Sequence, residues 1–372
     1  MKPASTRASG LPRSAIREIM ALAAGKPDVI HLEVGEPDAA TPLHIIEGAF
    51  KAAREGWTRY APNAGLPSLR RKVAARARVA EDRIVITTGA VGGLFSALMS
   101  VLDPGDELLI PDPGWPNYAA MAHLAGARAV RFGCPAERSF LPDMAEIRHL
   151  TSAKTKAILI NTPGNPTGVL FPPRLMQELV EHVRSQGLYL VSDEVYEDMV
   201  FEGEHVSAGS FGAEENVFIV SGASKSFAMT GWRLGWLVCP PGLAGVAAAL
   251  QEPTTSCAST ISQKAVEVAL EGGDETVRQL CATFKRRRDL VVEILGKHIP
   301  VVPAGAFYAL VDISRTGQDS LSFCKRLLAE KSVAAVPGIT FGPASDRYVR
   351  IAFTINDADL RKGLERLAEQ IG

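Results

Sequence analysis

The chain has 372 residues, more than one ordinary hydrophobic core holds, so two lobes are expected. With 47% hydrophobic and 22% charged residues it reads as a globular protein, and a net charge of −1 removes any electrostatic pull toward nucleic acid or anionic membrane. Its five cysteines (Cys134, Cys239, Cys257, Cys281, Cys324) are scattered without a CxxC pair, which argues against a disulfide frame or a zinc site and fits thiols kept reduced in a cytoplasm.

The opening stretch, MKPASTRASGLPRSAIREIM, lacks the apolar segment of a signal peptide. No apolar run approaches the roughly 20 residues that span a bilayer. Residues 1–45 are expected to pack on a smaller lobe. From about residue 84 to 240, short β-rich runs alternate with helical ones. The candidate strands are RIVIT (83–87), ELLI (107–110), ARAVRF (127–132), KAILI (156–160), LYLVS (188–192), NVFIV (216–220) and RLGWLVC (233–239). Between them, segments such as 175–187 place Leu175, Leu179, Val180 and Val183 at helical spacing. Such alternation predicts crossover units around a mostly parallel sheet. A long helical stretch follows Asp274. VVPAGAFYALVDI then reads as two strands around a Pro-Ala-Gly turn. The end, NDADLRKGLERLAEQI, reads as an amphipathic helix capped by Asn356, with Leu360, Leu364, Leu367 and Ile371 on one face. The expected fold is α/β: a large lobe over 46–273 with a mostly parallel seven-stranded sheet flanked by helices, and a smaller α+β lobe over 274–372.

Four polar stretches directly follow candidate strands: TTGAVGG (87–93), NTPGNPTG (161–168), SDEVYE (192–197) and SGASK (221–225). In an open α/β sheet the ends of the strands share one rim, and ligands bind there. TTGAVGG opens a helix, so its bare N–H groups make either a phosphate seat or a plain strand–helix turn. It is not a dinucleotide fingerprint, because G-x-G-x-x-G is absent. Asp193 is either a cap or the holder of a positive charge in a dry site. Tyr196 follows three residues later. Lys225 sits among Gly222, Ala223 and Ser224, small neighbours that let a planar group reach its amine. A nucleophilic lysine needs a depressed pKa, hence desolvation or cationic company. In Gly231-Trp232-Arg233-Leu234-Gly235-Trp236, strand alternation predicts Trp232, Leu234 and Trp236 on one face. Arg233, between two glycines, takes the other with room for a bulky anion such as phosphate. Arg350, in RYVRIAF, either grips a carboxylate or bridges the lobes as an ion pair. The seven histidines show no metal-ligand spacing, and no metal is expected.

Together these stretches resemble the class I aminotransferases of the pyridoxal-phosphate fold type I superfamily. The likeness covers nearly the whole chain. NTPGNPTG, SDEVY, SKSFAMTGWRLGW and YVRIAF stand in the family's order, and HLEVGEPD (31–38) and RYAPNAGLPSLR (59–70) look like its early motifs. The resemblance implies pyridoxal 5'-phosphate as cofactor, joined through its aldehyde to Lys225, whose amine then carries protons. Asp193 would face the pyridine nitrogen and keep it protonated, making the ring an electron sink. Asn165 and Tyr196 would bond the phenolic oxygen, and Trp115 would stack on the ring. Gly89, Ala90, Val91 and Arg233 would hold the phosphate. Arg350 would take the substrate carboxylate, with an N–H of Gly35 nearby. Tyr60 would reach the phosphate of a neighbouring subunit in a homodimer. The implied reaction is ping-pong transfer of an amino group from an amino acid to a 2-oxo acid.

Two positions depart from the family's pattern. Many relatives carry serine where this chain has Gly222; Ser224 and Ser221 are the nearest replacements. Aspartate-using relatives are expected to place a basic residue near Val91, which favours neutral or aromatic donors here. A lyase of the C–S β-lyase type on the same scaffold is the alternative enzyme. A sensor fused to a DNA-binding domain fits badly, with fewer than 35 residues ahead of the first motif.

Overall fold

All seven strands expected in the large lobe form, and they form one sheet. The computed structural model describes residues 4–11, 15–26, 28–272 and 274–372. In chain order the strands are β1 (Ile30–His31), β2 (Ile84–Thr87), β3 (Glu107–Asp112), β4 (Arg128–Gly133), β5 (Thr155–Asn161), β6 (Tyr189–Asp193), β7 (Val217–Gly222), β8 (Gly235–Val238), β9 (Tyr308–Asp312), β10 (Val333–Ala334), β11 (Val336–Pro337) and β12 (Tyr348–Ala352). The large sheet runs β2-β8-β7-β6-β5-β3-β4. Every neighbouring pair is parallel except those made by β8, which is antiparallel to β2 and β7.

The strands read as continuous apolar runs because both faces are covered. Alternate residues of one strand join different cores. Val85, Leu159, Val191 and Val220 pack beneath the Gly89–Met99 helix and its neighbours. Ile84, Ile86 and Trp236 pack on the opposite face at one end of the sheet, and Ile158, Ile160 and Leu190 do so at the other. The Pro173–Gln186 helix buries Leu179, Val180 and Val183, the stripe its spacing predicts.

A second, antiparallel sheet orders β11-β12-β9, and β1 pairs in parallel with β10. Ile19, Ala23, Ile30 and Leu32 enter the core of this region, although the short Thr6–Ser9 turn instead meets the Asn117–Ala125 helix of the large sheet, where His123 bonds the Arg7 carbonyl. The Asp274–Leu295 helix packs Leu280, Phe284, Val291 and Leu295 into the core beside the second sheet, and its Arg287 forks onto Asp38 at 2.8 Å and bonds Asp357 at 3.0 Å. The final helix, Asp357–Ile371, is capped by the Asn356 side chain and buries Leu360, Leu364, Leu367 and Ile371. The boundary drawn at residue 273 falls on a residue outside the described ones.

Two sequence expectations fail locally. The strand anticipated over 233–239 begins only at Gly235. Thr230–Trp232 is a 3-10 turn and Arg233 is left-handed (φ 54°), so Trp232 and Arg233 do not alternate as strand residues. The turn lets Arg233 Nη1 donate to Thr230 O at 2.7 Å and lays the guanidinium over Gly89. The first strand expected in VVPAGAFYALVDI is also absent. Pro303 offers no N–H, and Ala304 and Gly305 give theirs to the Gly168 carbonyl. What remains there is a single bridge between Gly305 and Val200.

Candidate active site

The antiparallel strand β8 decides where the polar stretches meet. Because β2 and β7 both flank it, their last residues, Thr87 and Gly222, lie on either side of Gly235. β6 and β5 extend the same rim, where Asp193 is in register with Asn161. A cavity of about 310 Å³ opens there. Gly35, Ala90, Val91, Trp115, Asn165, Asp193, Tyr196, Ser224, Lys225, Arg233 and Arg350 all line it. Gly89 lies just beneath, and Tyr60 lies elsewhere: it is 90% exposed, in an open hollow beside Trp57 and Thr260.

Lys225 belongs to the single helical turn Ala223–Ser226 directly after β7. Its Nζ donates to the Gly35 carbonyl at 2.7 Å. Burial draws its pKa down from 10.5 to about 8; Glu36 pulls it back, and Arg233 and Arg350 press it further down. Such an amine is partly neutral near pH 7 to 8 and can act as nucleophile or base.

Asp193 ends β6 and is 4% exposed. Burial raises its pKa to about 6, against the hydrogen bonds from Tyr118 Oη (2.7 Å) and the Val195 N–H (3.3 Å), which favour the carboxylate. A charge this dry calls for a cationic partner.

The Gly89–Met99 helix begins beside the arginine. Gly89 has φ +70°, and a Cβ on it would meet Arg233 Nη2 at 2.5 Å. A Cβ on Gly235 would meet the Ala90 nitrogen at 2.5 Å. Glycine at both positions keeps a helix N-terminus and a guanidinium open to an anion. Ser221 is occupied, donating to Glu197 at 2.6 Å, which leaves Ser224 in the lining.

Arg350 lies on β12, 3% exposed, and burial lowers its pKa. It donates to the Glu33 carbonyl and to Asn165 Oδ1 (3.4 Å), and its Nε has no partner. Among the described residues it makes no ion pair with a carboxylate, so the inter-lobe salt bridge open to it from sequence is not formed there; it is a buried cation whose Nε has no partner among them. Asn165 is held in turn: its N–H donates to Asn161 Oδ1 at 2.7 Å, and Asn161 Nδ2 donates to the Asp193 carbonyl at 2.8 Å. Gly35 lines the same cavity, and its carbonyl accepts from Lys225 Nζ.

The aminotransferase class I and II family model matches residues 27–367. This chain belongs to that family. It is 38% identical over 357 residues to the aspartate/prephenate aminotransferase of Thermus thermophilus, covering 93% of this chain and 91% of that protein. The structure of Thermus thermophilus aspartate aminotransferase with maleate superposes with a TM-score of 0.95 at 36% identity, covering 100% of both chains. An aromatic aminotransferase from Pyrococcus horikoshii superposes at 0.89 and 35% identity, covering 95% of this chain and 98% of that one. The chain is a pyridoxal-phosphate-dependent aminotransferase of fold type I, and its relatives do not favour the lyase alternative. The residues present fit the cofactor: a dry carboxylate for a ring N–H⁺, an amine of lowered pKa for an aldehyde, and a glycine-cleared helix start with an arginine for a phosphate.

Tyr118, Asn161 and Tyr308 are among the lining residues of this aminotransferase that were not picked out from sequence. Tyr118 stands three residues after Trp115, at the start of a helix, with its ring edge-on to Trp115 at 5.4 Å. Asn161 is the last residue of β5, and its signal was its position opposite Asp193 in a parallel pair. Tyr308, on β9 opposite Ala352, shares the face of Arg350; strand alternation in GAFYAL held that clue.

Proposed function

We propose that this aminotransferase exchanges amino groups between amino acids with uncharged, in particular aromatic, side chains and 2-oxo acids. The observation that carries the reading is the charge inventory of the cavity. Lys225, Arg233 and Arg350 are the cations among its described lining residues, and each has a task below. Ile16, Met20, Val34, Val91, Leu94 and Trp115 form the apolar part of the remaining lining, which also holds the anion Glu33 and the neutral Thr230. A second substrate carboxylate would find no partner there. The aromatic aminotransferase among the structural neighbours supports the reading; the aspartate aminotransferases argue for a wider range.

The bound cofactor supplies a protonated ring that withdraws electrons from the substrate Cα. Asp193 keeps the proton on that ring's nitrogen, and Tyr118 fixes which way the carboxylate faces. Asn165 and Tyr196 would donate to the phenolic oxygen. Trp115 would shield the ring from water. Gly89, Ala90, Val91, Ser224 and Arg233 would hold the phosphate. Arg350 forks onto the substrate α-carboxylate, giving its free Nε a partner. Lys225, whose amine has a lowered pKa, would take the proton from the substrate Cα with Nζ. The exposed Tyr60 would complete the phosphate site of a second copy, making the working unit a homodimer. The unpaired thiols support a cytoplasmic setting, and no helix among the described residues is long and apolar enough to cross a membrane. The division of the chain into an N-terminal segment to 45, a large domain and a small domain is part of the same proposal.

The test is a panel of twenty amino acids against pyruvate, oxaloacetate and 2-oxoglutarate. Aromatic and neutral donors should give the highest kcat/KM. Aspartate as the best donor would overturn the substrate reading. Keto product released without an added oxo acid would point back to a lyase.

A further inference from the structure

Tyr308 touches three parts of the machinery and has no task in the scheme above. Its hydroxyl is 2.9 Å from Tyr196 Oη and donates to the Gly35 carbonyl at 3.4 Å. That carbonyl also accepts from Lys225 Nζ at 2.7 Å. Its ring lies under Arg350, 4.6 Å from the guanidinium carbon to the ring centroid. The ring alone would serve the stacking and the packing against Phe307. The hydroxyl needs a separate reason.

The hydrogen count supplies one. With the Tyr308 proton on Gly35 O, the Tyr196–Tyr308 bond uses the proton of Tyr196. Tyr196 then has none to give the phenolic oxygen of the cofactor. The weakest link in the chain is the 3.4 Å contact, at the limit of a hydrogen bond. A phenolate is the strongest acceptor available, and charge-assisted bonds are roughly twice as strong as neutral ones. We propose that Tyr308 is a positioning residue: when the cofactor binds, its hydroxyl turns from Gly35 O to Tyr196 Oη, so that Tyr196 is a donor to the phenolic oxygen and is itself polarised by a donor behind it. Gly35, whose carbonyl the Tyr308 hydroxyl would leave, lines the cavity. The inference rests on the cofactor placement proposed above. Besides Tyr196, the charged groups near the Tyr308 hydroxyl are Arg350 and Asp193, with Lys225 sharing its acceptor. Arg350 and Asp193 act on Tyr196 as well.

Tyr308→Phe removes one oxygen and keeps the ring. The holoenzyme's visible absorption is titrated against pH in wild type, Tyr308→Phe, Tyr196→Phe and the double variant. A donor behind Tyr196 strengthens its bond by roughly 10–30%, so its loss should raise the midpoint by about half a pH unit. In the Tyr196→Phe background the same change should do nothing, because the relay has lost its middle member. The affinity for a simple monocarboxylate such as propionate should stay within twofold of wild type. An unmoved midpoint, an equal shift in both backgrounds, or an effect confined to carboxylate affinity would each overturn the relay and leave Tyr308 as packing for Arg350. Borohydride trapping of pyridoxal phosphate on Lys225 in all four proteins separates this failure from that of the cofactor placement, which would show as no trapped adduct in wild type.

Discussion

Asp193→Asn should make the cofactor-free enzyme more stable while crippling its chemistry. The carboxylate is 4% exposed, and burial raises its pKa from 3.8 to about 6. A raised carboxyl pKa means the folded state binds more protons than the unfolded one between those values. Stability therefore falls as pH rises from about 4 to about 6 and stays down above. At about 1.36 kcal/mol per pH unit the ceiling on this cost is ~3 kcal/mol. Asparagine carries no charge, and its oxygen still accepts from Tyr118. The assay is urea unfolding of both cofactor-free proteins from pH 4 to pH 8. Other carboxyl groups titrate alike in both, so the difference isolates position 193. It should be near zero at pH 4 and reach about 2–3 kcal/mol in favour of the variant above pH 7. With pyridoxal phosphate present the order should reverse, because wild type alone offers the ring N–H⁺ a charge. A difference independent of pH would refute the view that Asp193 is a destabilised charge awaiting a cation.

Three further outcomes follow from the same geometry. Gly235→Ala would drive a Cβ to 2.5 Å from the Ala90 nitrogen and 2.6 Å from the Gly89 carbonyl carbon, both backbone atoms that cannot step aside cheaply. Overpacking of this kind costs about 1–3 kcal/mol, so cofactor affinity by equilibrium dialysis should fall roughly 10- to 100-fold; unchanged affinity would mean the helix start is not the phosphate seat. Glu33 is buried, bonds His31 Nδ1 at 2.7 Å through one oxygen, leaves the other without a partner, and its charge acts on Arg350. Glu33→Gln should leave that cation less compensated and lower KM for the amino acid by a few fold with kcat little changed; a higher KM would contradict it. Val91→Lys places a cation on the apolar wall and should raise kcat/KM for aspartate roughly tenfold or more relative to an aromatic donor, as a charge-assisted hydrogen bond would. No gain would mean that the side-chain pocket lies elsewhere.

What the sequence could disclose depended on how locally each feature is determined. The seven strands were legible because apolar runs bounded by polar stretches are a local property, and both faces of the sheet are buried. The meeting of Asp193, Asn165 and Lys225 followed from a topological rule about strand ends, without any knowledge of strand order. The order itself was not legible, and it carries a consequence: β8 enters antiparallel, bringing Gly235 between Thr87 and Gly222, so the glycine that clears the phosphate seat comes from a strand start rather than a strand end. Arg233 shows the opposite limit. Its function was read from alternation along a strand, yet the residue is left-handed in a turn, and the guanidinium reaches Gly89 through the turn that alternation would have forbidden. Tyr118, Asn161 and Tyr308 escaped because each is ordinary in its own stretch. A tyrosine behind a Pro-Asn step or within GAFYAL has no local mark of function. Its role comes from what another part of the chain places against its hydroxyl: Asp193 in one case, Tyr196 and Gly35 in the other. Sites of this kind are legible where the residue type is itself unusual, as a lysine among small residues is, and illegible where an unremarkable residue is conscripted by long-range packing.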